Sequence, residues 1–192
     1  MVASRRTYIL NSLINKYKYE YYLEIGIGHA NKNFNKINCV YKTGVDPNVK
    51  CDYQMSSDKF FKKTSGNKKY DIIYIDGDHS YKQVLKDVNN SLKNLSVDGT
   101  LALHDCSPIS EEIQGTDNTV WKAFAELRMT RKDLYMYTVD IKHGIGIIRR
   151  GRQELFPGIP IKKLTYKFLE RNRKELLNLY SVEEFLKKIK KD

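Results

Sequence analysis

The sequence has few cysteines and no long hydrophobic run. No apolar stretch approaches the roughly 20 residues that a membrane-spanning helix needs, so we expect no membrane span. Three cysteines cannot all pair with one another, and Cys39, Cys51 and Cys106 lack the Cys-x-x-Cys spacing of many metal sites. We therefore interpret them as the reduced thiols of a cytoplasmic protein.

The first residues also lack the apolar core of a secretory signal, because polar residues such as Asn11, Ser12 and Lys16 interrupt the hydrophobic ones. The apolar residues instead recur at helical spacing, which predicts a leading helix with one buried face. The residues on that face are Ile9, Leu10, Leu13, Ile14 and Tyr17.

The net charge of +11 is distributed unevenly along the 192 residues. Residues 149–192 hold 13 basic and 6 acidic residues, a balance of +7, whereas the rest of the chain holds 21 and 17, a balance of +4. We interpret the tail as a solvated helical face with a basic end; an acidic partner, such as a phosphorylated substrate or a polyanion, is the alternative. We accordingly divide the chain into a domain at 1–150 and a basic helical extension at 151–192 that packs on the same domain.

Apolar runs alternate with helical patterns along the chain. This order predicts an α/β fold, a doubly wound and mostly parallel seven-stranded sheet with an antiparallel final hairpin in a three-layer αβα arrangement. A polar loop at 107–117 is long enough to cover a site. The predicted strands lie at 20–25, 43–46, 70–75, 100–105, 134–139 and 144–148. Helices are predicted at 31–37, after a cap within 56–58, after a cap at Asp78 or Ser80, at 120–128 and beyond 157.

Several apolar runs end abruptly in glycine or carboxylate. Gly26-x-Gly28 follows the first predicted strand, and Asp46, Asp76 and Asp105 end later ones. Buried parallel strands end in this way where their carboxyl ends open into a ligand crevice. Asp46 comes 18 residues after Gly28, about where a ribose-binding acid lies in a nucleotide-binding βαβ unit.

Four motifs in this order resemble the class I S-adenosylmethionine-dependent methyltransferases, in the branch that contains small-molecule and sugar O-methyltransferases. The resemblance covers roughly residues 20–150, and the segments 116–122 and 144–148 fit the same branch. The motifs are Glu24-Ile-Gly-Ile-Gly28, Gly44-Val-Asp-Pro47, Ile75-Asp-Gly-Asp-His-Ser-Tyr81 and Leu103-His-Asp105.

The resemblance implies a set of cofactor-binding residues. Asp46 would bind the ribose hydroxyls, because its two acceptor oxygens suit a vicinal diol. Asp76 would lie close to the cofactor as well. The remaining residues divide between the methionine end, Glu24, Gly26 and Gly28, and the adenine end, Ser56, Ser57 or Asp58.

The resemblance also indicates which side chains would take part in methyl transfer. A neutral hydroxyl is a poor nucleophile, and His79 is the predicted base, with Asp76 beside it. Asp76 and Asp105 end neighbouring strands, so their carboxylates could hold Mg²⁺. Related metal-dependent enzymes have a second carboxylate or amide next to the second of these acids, whereas this chain has His104 and Cys106. Without a metal, Asp76 would orient His79 or stabilise the cofactor's sulfonium.

The predicted function is therefore O-methylation of a hydroxyl on a small molecule or glycan precursor. An NAD-binding oxidoreductase is one alternative, but its fingerprint has a third glycine where this chain has Asn31. An RNA methyltransferase suits the basic charge, although the Asn/Asp-Pro-Pro-aromatic and Pro-Cys motifs of base-modifying enzymes are absent. A non-enzymatic binding module that keeps the fold is the third alternative.

Overall fold

The apolar runs of the sequence form one twisted sheet at the centre of the molecule. A computed structural model describes residues 5–64, 67–114 and 119–191. Its strands are β1 (Tyr21–Ile25), β2 (Tyr41–Val45), β3 (Tyr70–Ile75), β4 (Leu95–Leu103), β5 (Leu134–Val139), β6 (Ile145–Arg150) and β7 (Leu179–Tyr180). Its α-helices are α1 (Arg5–Tyr17), α2 (Ser57–Thr64), α3 (Tyr81–Asn94), α4 (Glu111–Gln114), α5 (Val120–Thr130), α6 (Tyr166–Leu176) and α7 (Val182–Lys191).

The strand order is β2-β1-β3-β4-β6-β5-β7. The first four of these strands are parallel, and β6 runs antiparallel between β4 and β5. The carboxyl ends of β1, β2, β3 and β4 therefore meet at one edge of the sheet. This topology confirms the predicted doubly wound sheet with an antiparallel final hairpin, and it brings the motif residues to a common edge.

Side chains alternate between the two faces of the sheet, and each face carries its own helices. In β3, Ile73 and Ile75 join the cluster that includes residues of α2, α3, α5 and α6, whereas Ile72 and Tyr74 join the cluster that includes α1 and α7. Helices on both faces of a central sheet make the three layers that the sequence predicted. Trp121 of α5 is fully buried in the first of these clusters.

Three local features differ from the sequence prediction. The helix predicted at 31–37 is a pair of short 3₁₀ helices, Ala30–Lys32 and Phe34–Lys36, because this asparagine-rich stretch has poor helix propensity. The predicted loop at 107–117 contains the short helix α4, and its residues 115–117 lie outside the described residues. The tail is not wholly helical, since β7 adds a two-residue parallel strand beside β5.

The last forty residues cover both faces of the sheet. Helix α6 packs in the same cluster as α5, and α7 packs against α1 on the other face, with β7 at the sheet edge between them. Arg128 of α5 is buried and donates to the side chain of Gln153 and to the backbone oxygens of Glu154 and Leu176. No helix among the described residues is long and apolar enough to cross a membrane.

Phe185→Ala should destabilise the whole chain by about 3–5 kcal/mol, because Phe185 is fully buried and its loss leaves a cavity. Trp121, the single tryptophan, reports on the opposite face of the sheet. The denaturant unfolding transition monitored by its fluorescence should therefore have a lower midpoint in the variant than in the wild type.

Lys187→Ala is the control, because Lys187 lies on the same helix and its side chain is 70% exposed. We expect a change below about 0.5 kcal/mol for it. An unchanged Trp121 transition in Phe185→Ala would mean that the tail unfolds separately from the predicted domain.

Candidate active site

One cavity of about 700 Å³ opens at the carboxyl ends of β1, β2 and β3. Gly26 and Asp46 both line it, so the two residues on which the sequence prediction depends share one hollow. Two further segments complete its wall, one after β3 and one at the start of α2. The lining residues include Arg6, Gly26, Gly28, Asp46, Met55, Ser56, Ser57, Asp58, Asp76, Gly77 and Gln83.

Gly26 stands where the loop after β1 touches the loop after β3. Its φ is +84°, and a Cβ placed on it would lie 2.5 Å from the Cα of Gly77 and closer still to the backbone oxygen of Asp76. Its amide donates to the backbone oxygen of Val45 at 2.8 Å, which ties it to the end of β2. Any side chain would push these loops apart, so a glycine is required here.

Asp46 is held in place by the backbone around it. Its Oδ2 accepts a hydrogen bond from the Gly28 amide at 3.0 Å, and its Oδ1 accepts from the amides of Asn48 and Val49 at 2.8 and 3.2 Å. These bonds orient the carboxylate at the cavity wall, where only 7% of the residue is exposed. A carboxylate has about four acceptor sites, and these three bonds leave one of them, on Oδ2, for a ligand hydroxyl.

The start of α2 forms another part of the wall, as the sequence predicted. Gln83 of α3 donates to the Ser57 hydroxyl at 3.3 Å and to Asp58 at 3.2 Å. Asp58 also pairs with Lys86 at 2.6 Å. Polar groups from two helices therefore meet beside Met55 and Ser56, and this combination suits a flat heterocycle with polar edges.

Glu24 occupies a different position from the other predicted cofactor residues. It is 1% exposed, it does not line the cavity, and it accepts hydrogen bonds from the hydroxyl of Tyr22 and the amide of Asn33. Burial raises the pKa of its carboxyl to about 7, although the two hydrogen bonds act in the opposite direction. The predicted contact of Glu24 with the methionine end of a cofactor stays a prediction.

Two carboxylates and two imidazoles converge at the ends of β3 and β4. Oδ1 of Asp76 lies 3.3 Å from Nε2 of His79 and 3.0 Å from Nδ1 of His104. Asp105 lies 3.2 Å from Nδ1 of His79 and 2.9 Å from Nδ1 of His104. Arg6 approaches from α1, with its Nη1 2.7 Å from Oδ2 of Asp76. The structure thus brings together the three predicted residues Asp76, His79 and Asp105.

These contacts shift the ionisation of the cluster. Burial lowers the pKa of each imidazole, but the two carboxylates outweigh it and raise the pKa of His79 and His104 to about 9. Burial raises the pKa of Asp76, but the histidines and Arg6 outweigh it and lower that pKa to about 2. In this arrangement His79 is protonated at neutral pH, so it can accept a proton only after losing its own.

The same cluster has the composition of a cation site. Ligand atoms of Asp76, His79 and His104 all lie within 4.8 Å of one another, and Asp105 adjoins them. His104 stands where related metal-dependent enzymes have a carboxylate or amide, and it is central to the cluster. Its position beside Asp105 at the end of β4 was the available signal.

Arg6 is the site residue that sequence reasoning missed entirely. It lies 70 positions before Asp76 in the chain, and nothing in the pattern of the leading helix indicates a contact with the end of β3. Packing of α1 on the sheet creates that contact.

Comparisons with known proteins bear on the class and the fold of this chain. Residues 14–106 match the family model of a methyltransferase domain. The comparison with curated protein sequences returned no match. The match overlaps the region in which the motifs resemble this class of enzyme, and it bears out the predicted class.

Solved structures show the same fold at low sequence identity. The O-methyltransferase TomG from Streptomyces achromogenes, in complex with SAM, is 12% identical with a TM-score of 0.57, over 78% of this chain and 81% of that one. The O-methyltransferase from Bacillus cereus, in complex with SAH, is 12% identical with a TM-score of 0.56, over 79% and 83%. The SAH-bound methyltransferase PaMTH1 from Podospora anserina is 15% identical with a TM-score of 0.54, over 78% and 80%.

Gly26→Ala should destabilise the protein much more than Gly28→Ala. Both residues have positive φ, which costs a side chain about 1–2 kcal/mol, but a Cβ on Gly28 would meet nothing within 4 Å. A Cβ on Gly26 would overlap backbone atoms that cannot rotate away. Denaturant unfolding of the two variants measures the difference. Equal losses would contradict the close approach of the two loops.

Proposed function

We propose that this protein transfers a methyl group from S-adenosylmethionine to a hydroxyl of a small molecule or a glycan precursor. The observation that carries the proposal is the shared cavity, in which the Gly26 turn, Asp46 and the start of α2 form the wall and Asp76 stands beside His79. The likeness of the fold to O-methyltransferases supports the same activity.

The residues that line the cavity fit this cofactor. Asp46 would bind the ribose hydroxyls, and Ser56, Ser57 or Asp58 would lie along the adenine. The missing side chain at Gly26 lets the methionine portion run close to the backbone. A volume of about 700 Å³ lies within the range of small-molecule sites. The bound cofactor supplies the methyl group as a sulfonium, an activated donor.

His79, once it has released its own proton, is proposed to accept the proton of the acceptor hydroxyl. Its two ring nitrogens face Asp76 and Asp105, so the two carboxylates orient the imidazole. An acceptor hydroxyl would approach in line with the donated methyl, at about 3–3.5 Å. Asp76 contacts both Arg6 and the imidazole, and its negative charge at the end of β3 favours a nearby sulfonium.

We also propose that Asp76 and Asp105 hold a divalent cation together with His104. Mg²⁺ prefers oxygen ligands, whereas imidazole nitrogens suit Zn²⁺, Fe²⁺ or Ni²⁺. The nitrogen atoms of the cluster favour the second group over the Mg²⁺ predicted from the sequence. A cation here would polarise a hydroxyl bound to it and lower its pKa.

A cytoplasmic location is the simplest proposal for the three cysteines. All three are free thiols. Cys106 is fully buried, which raises the pKa of its thiol and makes it unreactive. Free thiols persist most readily in a reducing compartment.

Asp46→Ala should weaken binding of S-adenosylhomocysteine at least tenfold, because the ribose hydroxyls lose their acceptor and the loop at 46–49 loses three hydrogen bonds. Isothermal titration calorimetry measures the affinity. Asp133→Ala, in an exposed ion pair with Arg131, is the control and should bind as the wild type does. Unchanged affinity in Asp46→Ala would remove the ribose role.

His79→Ala should abolish methyl transfer while S-adenosylhomocysteine affinity stays within about threefold, because the side chain acts on the acceptor. Turnover is measured as S-adenosylhomocysteine release with a panel of phenols, catechols and sugars, after chelation and then with added Mg²⁺, Fe²⁺ or Zn²⁺. Full activity in the variant would exclude His79 as the base. Equal wild-type rates with and without the metals would exclude a required cation.

A further inference from the structure

The guanidinium of Arg6 stands at the end of the cavity next to Gly26 and Asp76. Its side chain is 22% exposed, and it lines the cavity while Nη1 contacts Oδ2 of Asp76 at 2.7 Å. A guanidinium has five N–H donors in a planar fork. Asp76 and the Tyr74 hydroxyl engage part of this fork, and the remaining donors can bind a ligand.

The position of Arg6 is set by a rigid support. Ile9, Leu10 and Leu13 of α1 are fully buried against the sheet. The hydroxyl of Thr7, the next residue along the helix, donates to the Asn33 side chain at 2.8 Å, which ties α1 to the segment after β1. A guanidinium on such a support binds an anion at low entropic cost.

Neutralising the Asp76 carboxylate does not by itself explain why an arginine lies at position 6. His79 and His104 both contact the same carboxylate, at 3.3 and 3.0 Å. The carboxylate therefore has two nitrogen partners besides the guanidinium. Arg6 brings a further positive charge to a cavity whose other described lysine or arginine is Lys32.

The order of the residues along the cavity indicates which part of the cofactor would lie beside the positive charge of Arg6. Asp46 is placed for the ribose and Ser56, Ser57 or Asp58 for the adenine, so the remaining part, at Gly26, Gly77 and Arg6, takes the amino-acid portion. That portion ends in an α-carboxylate, the only full negative charge of S-adenosylmethionine. A carboxylate and a guanidinium form charge-assisted, often bidentate, hydrogen bonds.

We infer that Arg6 binds the α-carboxylate of the cofactor's methionine portion. The inference rests on the proposed function and adds the leading helix to the binding site. It makes Arg6 a ligand-binding residue that also contacts Asp76, so that cofactor binding and the cluster at the end of β3 share one side chain.

Two ligands that differ by the amino-acid portion test the inference. S-adenosylhomocysteine carries the carboxylate, whereas 5′-methylthioadenosine has the same adenosine and thioether without it. By calorimetry, Arg6→Gln should bind S-adenosylhomocysteine at least tenfold more weakly and 5′-methylthioadenosine within twofold of the wild type. Arg6→Lys should show a smaller loss for the first ligand, because lysine keeps the charge without the fork.

Two control variants separate the site from general charge effects. Arg171→Gln removes one positive charge at an exposed position of α6 and should bind both ligands normally. Lys32→Met removes the other cation of the cavity and should have the smaller effect on S-adenosylhomocysteine.

Distinct results overturn distinct claims. Equal losses for both ligands in Arg6→Gln would mean that Arg6 acts through the fold, and unchanged binding of S-adenosylhomocysteine would remove it from the site. A larger loss in Lys32→Met would assign the carboxylate to Lys32. If Arg6→Gln lowers the melting temperature too far for calorimetry, the ratio of the two affinities in Arg6→Lys decides. A wild-type protein that binds neither ligand would overturn the proposed function itself.

Discussion

The site depends on one steric constraint, the contact between the turn after β1 and the turn after β3. Gly26 lies against Gly77 with no room for a side chain. This contact leaves space for a ligand beside the backbone and fixes where the peptide of Asp76 lies. The carboxylate of Asp76, the cavity wall and the approach of α1 all take their positions from it. A displacement of the two turns would change the cavity and the ionic cluster together.

Electrostatics then organise the end of the sheet around Asp76. Nitrogen atoms from three separate elements contact its carboxylate, namely Arg6 from α1, His79 after β3 and His104 after β4. Asp105 holds both histidines from the other side. Partial burial of any one of these charged groups alone would cost free energy, but each lies beside a group of opposite charge that offsets the cost. The arrangement combines an oriented imidazole, a potential cation site and a guanidinium within one small region.

Much of this could be predicted from the residues because the chemistry lies at strand ends. A buried strand is recognisable by its apolar run, and carboxyl ends of parallel strands must share one edge, so Asp46, Asp76 and Asp105 could be placed near one another. From the sequence alone, His104 has no predicted role as a ligand, because the expected ion, Mg²⁺, prefers oxygen ligands. The surroundings of Glu24 could not be predicted, because its spacing in the motif does not reveal that Tyr22 and Asn33 donate to its carboxylate.

The sequence by itself determined the fold class, the edge of the sheet that carries the candidate site and the resemblance to methyltransferases, because hydrophobic periodicity and glycine spacing are local properties. Tertiary structure alone decided that Arg6 reaches Asp76, that α6 and α7 cover opposite faces and that His104 joins the cluster. Those contacts join distant parts of the chain: Arg6 and Asp76 are 70 positions apart, and α7 packs against α1 from the opposite end of the sequence. Such contacts follow from how helices pack on the sheet, and no local pattern records that packing.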